Sequence, residues 1–559
     1  MGNRAARIVT KPVIDDRKIM VAFAALVTFL LVVFVGSPLW AIFKMSLLSP
    51  QGEWGLQNYR RFISEPRLVR IVINSFSVAV TTTAVTIVAA YVFSYAIVRA
   101  AIPLKRLWTL VAMTPLFAPS LIHALGFKFL LGQSGLLKMT FNMGFTVYGF
   151  WGLVLSDTLY AFPHAVLILR TSLAFADQRL YESATMLGAS PWRIFWTVTL
   201  PSTRYGLMSA TFIVFTATIT DFGNAIIIGG NYKVLATEIY TQVIGQANFN
   251  LGAVVSVVLL FPTAVAMGIE RWVTRRQAAL VTEKFVPLEV KPHKLFDTVM
   301  LTCVVGICAA ILAVIGIVIY ASLVNLWPYS MSLTLRNYLN PDLQNGFEPL
   351  LNSVGMALMT SVLGVLVTIT AAYVVQKMQN PVTRALYFLS ILPVAVPGMV
   401  LGLGYIFIFN NPANPLTVLY GSLLLLAINT VYHYHAQGFL TATTSFKQIS
   451  KTFDEASAML GGGVLRTLHR ITLPIIWPSL IRLAVFYYMQ AMVTLSAVIF
   501  LFSPRSSLAS VVVVQLEDFG AMSQAAAFAT LIMLSVVVVL LVLQGLMRLL
   551  GVRNVSLVG

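Results

Sequence analysis

Charged residues are scarce in this sequence. They make up 10% of the 559 residues, whereas hydrophobic residues make up 58%. A soluble protein would be about a quarter charged. The composition therefore excludes an ordinary soluble domain and indicates a protein that is embedded in a lipid bilayer.

Residues that carry redox, metal or nucleotide chemistry are also few. Cys303 and Cys308 are five residues apart in one apolar stretch and do not share a helix face well, so we interpret them as packing residues. No Gly-Lys dipeptide occurs, which excludes a P-loop for ATP. No cluster of His, Cys and Glu has the spacing of metal ligands. The chain is therefore predicted to be no enzyme and to hold no metal or other cofactor.

Apolar stretches that match the thickness of a bilayer recur along the whole chain. A transmembrane helix needs about 20 apolar residues, and the sequence predicts twelve such spans, of which the third and ninth are interrupted by Gly and Pro. They lie at residues 20–43, 71–98, 107–131, 147–170, 206–230, 248–270, 298–324, 351–376, 385–409, 416–440, 481–503 and 523–547. The first is too long for a signal-peptide core, so we interpret it as a span. The predicted fold class is an all-α membrane protein.

Short sequence matches divide the twelve spans into two related halves. The matched pairs are Asn58-Tyr59 with Asn337-Tyr338, Asn74-Ser75 with Asn352-Ser353, and Pro115 to Pro119 with Pro393 to Pro397. With six spans each, the halves have the same orientation and are related by an axis along the membrane normal. The predicted parts are a tail at 1–19, a first half at 20–271, a linker at 272–297, a second half at 298–547 and a tail at 548–559.

The net charge of +18 is explained by topology and gives no reason to expect nucleic acid as a partner. If both termini and the linker are cytoplasmic, most of the 37 Lys and Arg residues lie on the cytoplasmic side, as the positive-inside rule requires. The first outer loop disagrees, since it contains Arg60, Arg61, Arg67 and Arg70. Every other loop fits. We therefore predict a multi-pass membrane protein with both termini in the cytoplasm.

One polar motif occurs in both halves, 273 residues apart. Without a gap, Glu182 to Pro201 and Glu455 to Pro474 are identical at eight of twenty positions. Each copy predicts a helix-turn-helix. The predicted caps and stops are Asp177 and Gly188 in the first copy and Ser450 and Gly461 in the second. The alternative is two ordinary amphipathic loops on the membrane, but matched positions in both halves favour a repeated docking element for a soluble partner.

The repeated motif resembles the EAA loop, which is the cytoplasmic coupling loop of ABC importer permeases. That loop reads Glu-Ala-Ala, three residues, Gly, and a hydrophobic stretch that ends near Leu-Pro, and each copy here has Ser in place of one Ala. The resemblance covers nearly the whole chain as two fused type I permease halves, with coupling loops near 173–205 and 441–480. The coupling residues that it implies are Glu182, Ala184, Gly188, Glu455, Ser457 and Gly461. The partners that it implies are two copies of a separate ATP-binding cassette subunit and a periplasmic substrate-binding protein, besides membrane lipid.

Carboxylates within predicted spans are candidate substrate-path residues, because they are costly in a bilayer and usually face a cavity or the bundle interior. Two such residues are Asp157 and Asp221. Hydroxyls at Thr220 and Ser496 could bind a small polar substrate or could only satisfy backbone carbonyls. Fused halves with Thr220 to Gly223 resemble the permeases for ferric iron and for 2-aminoethylphosphonate. Leu495 to Pro504 is more similar to the phosphonate group, so 2-aminoethylphosphonate is the expected substrate and ferric iron the alternative.

Two other classes of protein remain open at the level of the sequence. A secondary transporter with two six-helix halves needs no ATPase, but its coupling would rely on acids or bases within the membrane, which are few here. A membrane-embedded enzyme would need a convergent catalytic set, which the sequence lacks. The expected function is therefore that of a permease in an ATP-driven importer.

Overall fold

The computed structural model describes residues 16–141, 144, 146–280, 286, 290, 292–339, 346–378 and 380–549. Residues 1–15, most of 281–291 and 550–559 lie outside these ranges, and with them most of the predicted tails and part of the linker. The described residues are almost entirely helical. Their two strands, β1 (Val324–Leu326) and β2 (Ser330–Leu333), pair antiparallel. The predicted all-α class is confirmed.

In the first half, a π-helical turn at Val32–Gly36 joins the first two helices into one span. Within the described residues the first half contains α1 (Asp16–Leu31), α2 (Ser37–Leu47), α3 (Gln57–Ser64), α4 (Pro66–Arg99), α5 (Lys105–Met113), α6 (Ser120–Leu131), α7 (Leu136–Phe141), α8 (Phe150–Ala174), α9 (Gln178–Met186), α10 (Pro191–Ile194), α11 (Leu200–Ile219), α12 (Gly223–Ile228), α13 (Leu235–Tyr240) and α14 (Phe249–Leu280).

The helices of the second half repeat this order with fewer short elements. In the described part of the chain they are α15 (Lys294–Ser322), α16 (Arg336–Leu339), α17 (Glu348–Lys377), α18 (Pro381–Ile391), α19 (Gly398–Phe409), α20 (Leu423–Lys447), α21 (Lys451–Met459), α22 (Val464–Thr467), α23 (Leu473–Val493), α24 (Ala509–Asp518) and α25 (Met522–Leu549). By position, α4 corresponds to α17, α8 to α20, α11 to α23 and α14 to α25.

Eight of the described helices are long and apolar enough to cross a membrane, and up to ten spans result if each of two bent pairs counts as one. The predicted number of twelve exceeds this by two. The other two predicted spans correspond to α11 and α20, which do not meet the same criterion although their counterparts α23 and α8 do. With α11 and α20 included, each half has six long elements.

Two predicted spans are interrupted where the sequence suggested continuous helices. In the span predicted at 206–230, α11 ends at Ile219 and α12 begins at Gly223. The span predicted at 481–503 is helical only to Val493. In the first break the Asp221 carboxylate accepts a hydrogen bond from the Asn224 N–H at 2.7 Å, as the cap of a new helix does. Hydropathy does not register such breaks, because the residues on both sides are apolar.

The third span of each half is a bent pair of helices, as its Gly and Pro residues suggested. α5 and α6 meet at 103°, and α18 and α19 meet at 112°. Each bend contains a 3-10 turn, at Thr114–Phe117 and at Leu392–Ala395. Each turn includes one proline and is followed by another. Proline has no N–H to donate and disfavours the helical conformation of the preceding residue, so the helix cannot continue straight through either bend.

The duplicated Asn-Tyr pairs make the same contacts in both halves. The Asn58 amide donates to the carbonyl oxygens of Ser46 and Leu48 at 3.1 and 2.7 Å. Its counterpart Asn337 donates to those of Ser322 and Val324 at 3.0 and 2.8 Å. The neighbouring tyrosine hydroxyls lie 2.8 and 2.6 Å from the hydroxyls of the same two serines. Each pair therefore ties the segment before the second span to the end of the first.

The first span of each half packs against the other half. α1 lies against α17 and α18, α2 lies against α19, and α15 lies against α4, α5 and α6. At matched positions, Gly126 of α6 faces Val314 of α15, and Gly404 of α19 faces Pro38 of α2. This exchange joins both halves in one hydrophobic core.

Candidate functional site

The repeated polar motif folds as a helix-turn-helix in both halves. The Asp177 carboxylate caps α9 by accepting from the Arg179 N–H at 3.1 Å, and the Ser450 hydroxyl accepts from the Thr452 N–H at 3.3 Å at the start of α21. The run of α9, α10, a π turn and α11 recurs as α21, α22, a π turn and α23 at a constant offset of 273 residues. The predicted conformation is confirmed, and the two copies, with their connections, are called the coupling motifs below.

A glycine ends the first helix of each coupling motif. Gly188 has φ +74° and Gly461 has φ +70°, a left-handed conformation that favours glycine. The next N–H closes the turn, since Ala189 donates to the Ala184 carbonyl at 3.0 Å and Gly462 donates to that of Ser457 at 2.8 Å. The start of the second helix differs between the two motifs. The Ser190 hydroxyl caps α10, whereas α22 has no side-chain cap.

The predicted coupling residues fall on two sides of their helices. Glu182 and Glu455 are exposed, and the Glu182 carboxylate accepts from the Gln178 amide at 2.6 Å. Ala184 is half-buried, and Ser457 is buried, with its hydroxyl 2.6 Å from that of Thr467 in α22. The two acids are therefore free to contact a partner, while the small residues hold each helix to the segment that follows.

The coupling motifs also expose large apolar side chains, which the sequence did not identify as functional. Met186 and Leu187 are 89% and 87% exposed, and Met459 and Leu460 are 89% and 86% exposed. They stand just before Gly188 and Gly461 at the tips of the turns. A signal was present in the sequence, because this Met-Leu pair is identical in both copies.

A cavity of about 490 Å3 lies between the two halves. Its wall includes the two bends and the two breaks described above. It contains all three predicted substrate-path residues, Thr220, Asp221 and Ser496. From the breaks the lining continues along α14 and α20 to Glu270, Thr274 and Leu440. That direction leads to the end of the bundle at which α8 and α20 finish and the coupling motifs begin, called the docking end below.

The predicted acids also make hydrogen bonds that stabilise the local structure. Asp221 accepts from the Ser120 hydroxyl as well as from the Asn224 N–H, and the Thr220 hydroxyl donates to the Thr216 carbonyl at 2.8 Å. Asp157 is buried and accepts from the Asn224 amide at 2.7 Å, and it is not among the described lining residues. Asp221 thus both borders the cavity and holds the break in α11.

Further lining residues were not identified from the sequence. Glu270 accepts hydrogen bonds from Ser209 at 3.0 Å and from Thr274 at 2.7 Å. The polar rings on the wall are those of Tyr160, His164, Tyr387, His433 and Tyr434. Among the described lining residues the charged side chains are Asp221, Glu270 and Arg271, so carboxylates outnumber basic groups. Nothing in the sequence alone distinguished Glu270, which stands at the predicted end of the sixth span.

Contacts between the halves lie at the end of the bundle opposite the docking end, called the far end below. The ring of Tyr240, the last residue of α13, stacks on Phe500 with centroids 6.2 Å apart. Lys128 of α6 forms an ion pair with Glu517 of α24, and both side chains are mostly buried. These contacts hold the two halves together at the far end. Within the described part of the chain, no three His, Cys, Asp or Glu residues are grouped so as to hold a metal ion.

Comparison with known families decides the class of the protein. The model of the binding-protein-dependent transport system inner membrane component matches this chain twice, at residues 87–279 and 371–551. The chain belongs to this family. Two matches in one chain confirm that it consists of two fused permease halves. They favour a binding-protein-dependent permease over the secondary transporter and the enzyme.

Similar permeases have been named for different cargoes. A putative ferric transport system permease protein of Haemophilus influenzae is 28% identical over 504 residues, which cover 88% of this chain and 79% of the relative. A ferric transport system permease protein of Actinobacillus pleuropneumoniae is 26% identical over 92% of this chain and 77% of its own length. A putative 2-aminoethylphosphonate transport system permease protein of Salmonella typhimurium is 25% identical over 40% of this chain and 80% of its own length.

Proposed function

We propose that this inner-membrane permease imports ferric iron, driven by two copies of a separate ATPase that dock on the coupling motifs. The proposal that an ATPase docks on the coupling motifs rests on their two apolar tips, Met186-Leu187 and Met459-Leu460. Large apolar side chains that are almost fully exposed, at the same position in each half, are typical of surfaces that a partner covers. Glu182 and Glu455 add an acidic group beside each tip for basic donors on the partner.

The substrate part of the proposal rests on the cavity together with the relatives. Carboxylate and phenol oxygens line the cavity, and such hard donors suit a hard cation. A phosphonate group is instead recognised best by Arg or Lys, and Arg271 is the one basic side chain among the described lining residues. Two relatives that align with most of this chain are named for ferric transport. Ferric iron therefore replaces the phosphonate as the first candidate.

2-Aminoethylphosphonate stays the second candidate because of one segment. Leu495 to Pro504 resembles the phosphonate group of permeases, and Ser496 from this segment borders the cavity. The named relative for this cargo aligns with a smaller part of the chain.

Two uptake measurements separate the candidates. Deleting the chain should abolish binding-protein-dependent uptake of radiolabelled ferric iron while growth on 2-aminoethylphosphonate as sole phosphorus source continues. Asp221→Asn should lower iron uptake with normal protein accumulation, because asparagine keeps the helix cap and removes the charge. Loss of phosphonate growth with intact iron uptake would assign the cargo to the second candidate.

The docking part has its own test. Leu187→Glu together with Leu460→Glu should weaken copurification of the ATPase by at least about tenfold, since each leucine loses roughly 1.5–3 kcal/mol of burial. Leu335→Glu is the matched control, because Leu335 is also exposed but lies before the short helix α16, outside both coupling motifs. Undiminished copurification of the double variant would reject the tips as the docking surface.

A further inference from the structure

Each coupling motif touches a basic residue that ends the second span of its own half. Arg99 is the last residue of α4, and its guanidinium lies 4.3 Å from the centroid of the Tyr181 ring in α9. It also donates to the Tyr181 hydroxyl at 2.7 Å. Lys377 is the last residue of α17, and it forms an ion pair with Asp454 in α21. Both contacts join the end of a long helix to the first half of a coupling helix.

These two contacts are equivalent although their chemistry differs. Arg99 and Lys377 are 278 residues apart, the same offset that relates Asn74 to Asn352 at the other end of α4 and α17. Tyr181 and Asp454 are 273 residues apart, which is the offset of the coupling motifs. One half therefore uses a cation–π contact and a hydrogen bond where the other half uses an ion pair.

The first coupling helix, α9, is otherwise loosely held. No residue of α9 is buried. The Tyr181 hydroxyl, which accepts from Arg99, in turn donates to the Thr199 hydroxyl at 3.1 Å. Thr199 lies where the π turn leads into α11. In the second half, Lys377 also lies 5.6 Å from the centroid of the Tyr373 ring. A displacement of α9 or α21 would thus reach the ends of α4 and α17 through these contacts.

The opposite ends of α4 and α17 are tied to the segments at the far end. The Ser75 hydroxyl accepts from the Leu235 N–H at the start of α13 at 2.7 Å, and the Ser353 hydroxyl accepts from the Ala509 N–H at the start of α24 at 2.8 Å. In the first half, Arg67 also binds the buried Glu238 of α13 through two hydrogen bonds of 2.8 and 3.1 Å. The same two short helices, α13 and α24, contribute Tyr240 and Glu517 to the contacts between the halves at the far end.

We propose that α4 and α17 transmit movement between the coupling motifs and the contacts at the far end, and that Arg99 and Lys377 are the positioning residues that attach them to α9 and α21. This inference rests on the proposed docking of an ATPase. With 34 residues at 1.5 Å each, α4 is about 50 Å long, enough to reach from one end of the bundle to the other. Because α4 is one continuous helix attached at both ends, a displacement of one end reaches the segments that are attached to the other.

The test compares uptake with ATP hydrolysis in liposomes that contain permease, ATPase and binding protein. Lys377→Asp and, separately, Arg99→Gln should reduce binding-protein-stimulated ATP hydrolysis and uptake about fivefold or more, the size of a typical coupling energy. The ATPase should still copurify, because neither residue lies at an apolar tip. Lys377→Asp with Asp454→Lys should restore coupling by re-forming the pair in reverse. Arg384→Ala, which changes an exposed basic residue of α18 outside both coupling loops, is the control and should couple normally.

The alternative outcomes are distinct. If the single variants retain wild-type stimulation with the ATPase bound, or if the charge reversal fails to restore coupling, the attachment has no transmitting role. If the variants lose the ATPase altogether, the contacts only hold the coupling helices in shape, which also overturns the inference. If the wild-type permease binds no ATPase, the proposed function fails, and the inference fails with it.

Discussion

At the scale of single residues, the coupling motifs separate contact with a partner from contact with the bundle. Glu182 and Glu455 point outward, while Ser457 and the tethers of Tyr181 and Asp454 point back to the chain. The exposed acids therefore contribute little to the stability of the permease itself. Their substitution should report on the partner alone.

We expect Glu182→Arg and Glu455→Arg each to lower substrate uptake and stimulated ATP hydrolysis. A positive charge would replace an acceptor beside the docking tip, and like charges would then repel basic groups on the ATPase. Accumulation in the membrane should stay normal, because both side chains are exposed. Wild-type uptake and hydrolysis in both variants would show that the acids take no part in coupling.

The sequence predicted the acids and the glycines of these motifs but not the apolar tips. The acids stood out because charged residues are scarce in this chain, and both the acids and the glycines recur at one offset. Met186 and Leu187 did not, because the same residue types suit a buried core equally well, and only the fold reveals that they are exposed. For the same reason Glu270 was not found, since its place on the cavity wall depends on how α14 is rotated.

At the scale of elements, the long helices were predictable and the short ones were not. All twelve predicted spans correspond to long elements of the structure, of which ten are apolar spans or bent pairs and the other two are α11 and α20. Hydropathy missed the breaks after Ile219 and Val493, and it gave no sign of α13 or α24. These helices have 6 and 10 residues, too few to cross a bilayer, and their apolar residues look like loop or span ends.

The packing of α19 on α2 gives a prediction at this scale. A Cβ atom at Gly404 would lie 2.7 Å from the Pro38 carbonyl oxygen, and backbone cannot yield as a flexible side chain can. Gly404→Val should therefore cost roughly 1–3 kcal/mol and lower the detergent-solubilised melting temperature. Gly268→Val in α14 is the matched control, because a Cβ there meets no atom within 4 Å. Equal melting temperatures for the two variants would contradict the close approach.

At the scale of the whole molecule, the duplication and the class were predicted correctly, and the orientation in the membrane stays a prediction. Lys284, in the predicted cytoplasmic linker, lies outside the described residues. Within them, Met186 marks the docking end and Lys233 precedes α13 at the far end, and both are exposed. These two positions can therefore test the orientation.

Single cysteines at Met186 and Lys233 should be labelled from opposite sides of the membrane by an impermeant thiol reagent. Met186→Cys should react only when the reagent has access to the cytoplasmic face of the membrane. Lys233→Cys should react in intact spheroplasts. A background variant without Cys303 and Cys308 serves as the control. Labelling of both positions from one side would contradict a membrane crossing between them and therefore the twelve-span topology.

The energy source gives the last prediction. Uptake through this permease should need a separate ATPase and should survive collapse of the proton gradient while ATP is maintained. The intramembrane carboxylates Asp157 and Asp221 hold structural hydrogen bonds, which leaves little capacity for proton coupling. Uptake that stops with the gradient at constant ATP would contradict this mechanism, and a known ATP-driven importer in the same cells is the control.

The exchanged first spans have a consequence for biogenesis. α1 and α2 leave the ribosome first, but α17, α18 and α19, against which they pack, are synthesised roughly 300 residues later. At about 5–20 residues per second, the first span waits in the bilayer for at least 15 seconds or so without its final neighbours. Neither half can complete its core alone, so fusion in one chain guarantees that each nascent half meets its partner in a one-to-one ratio.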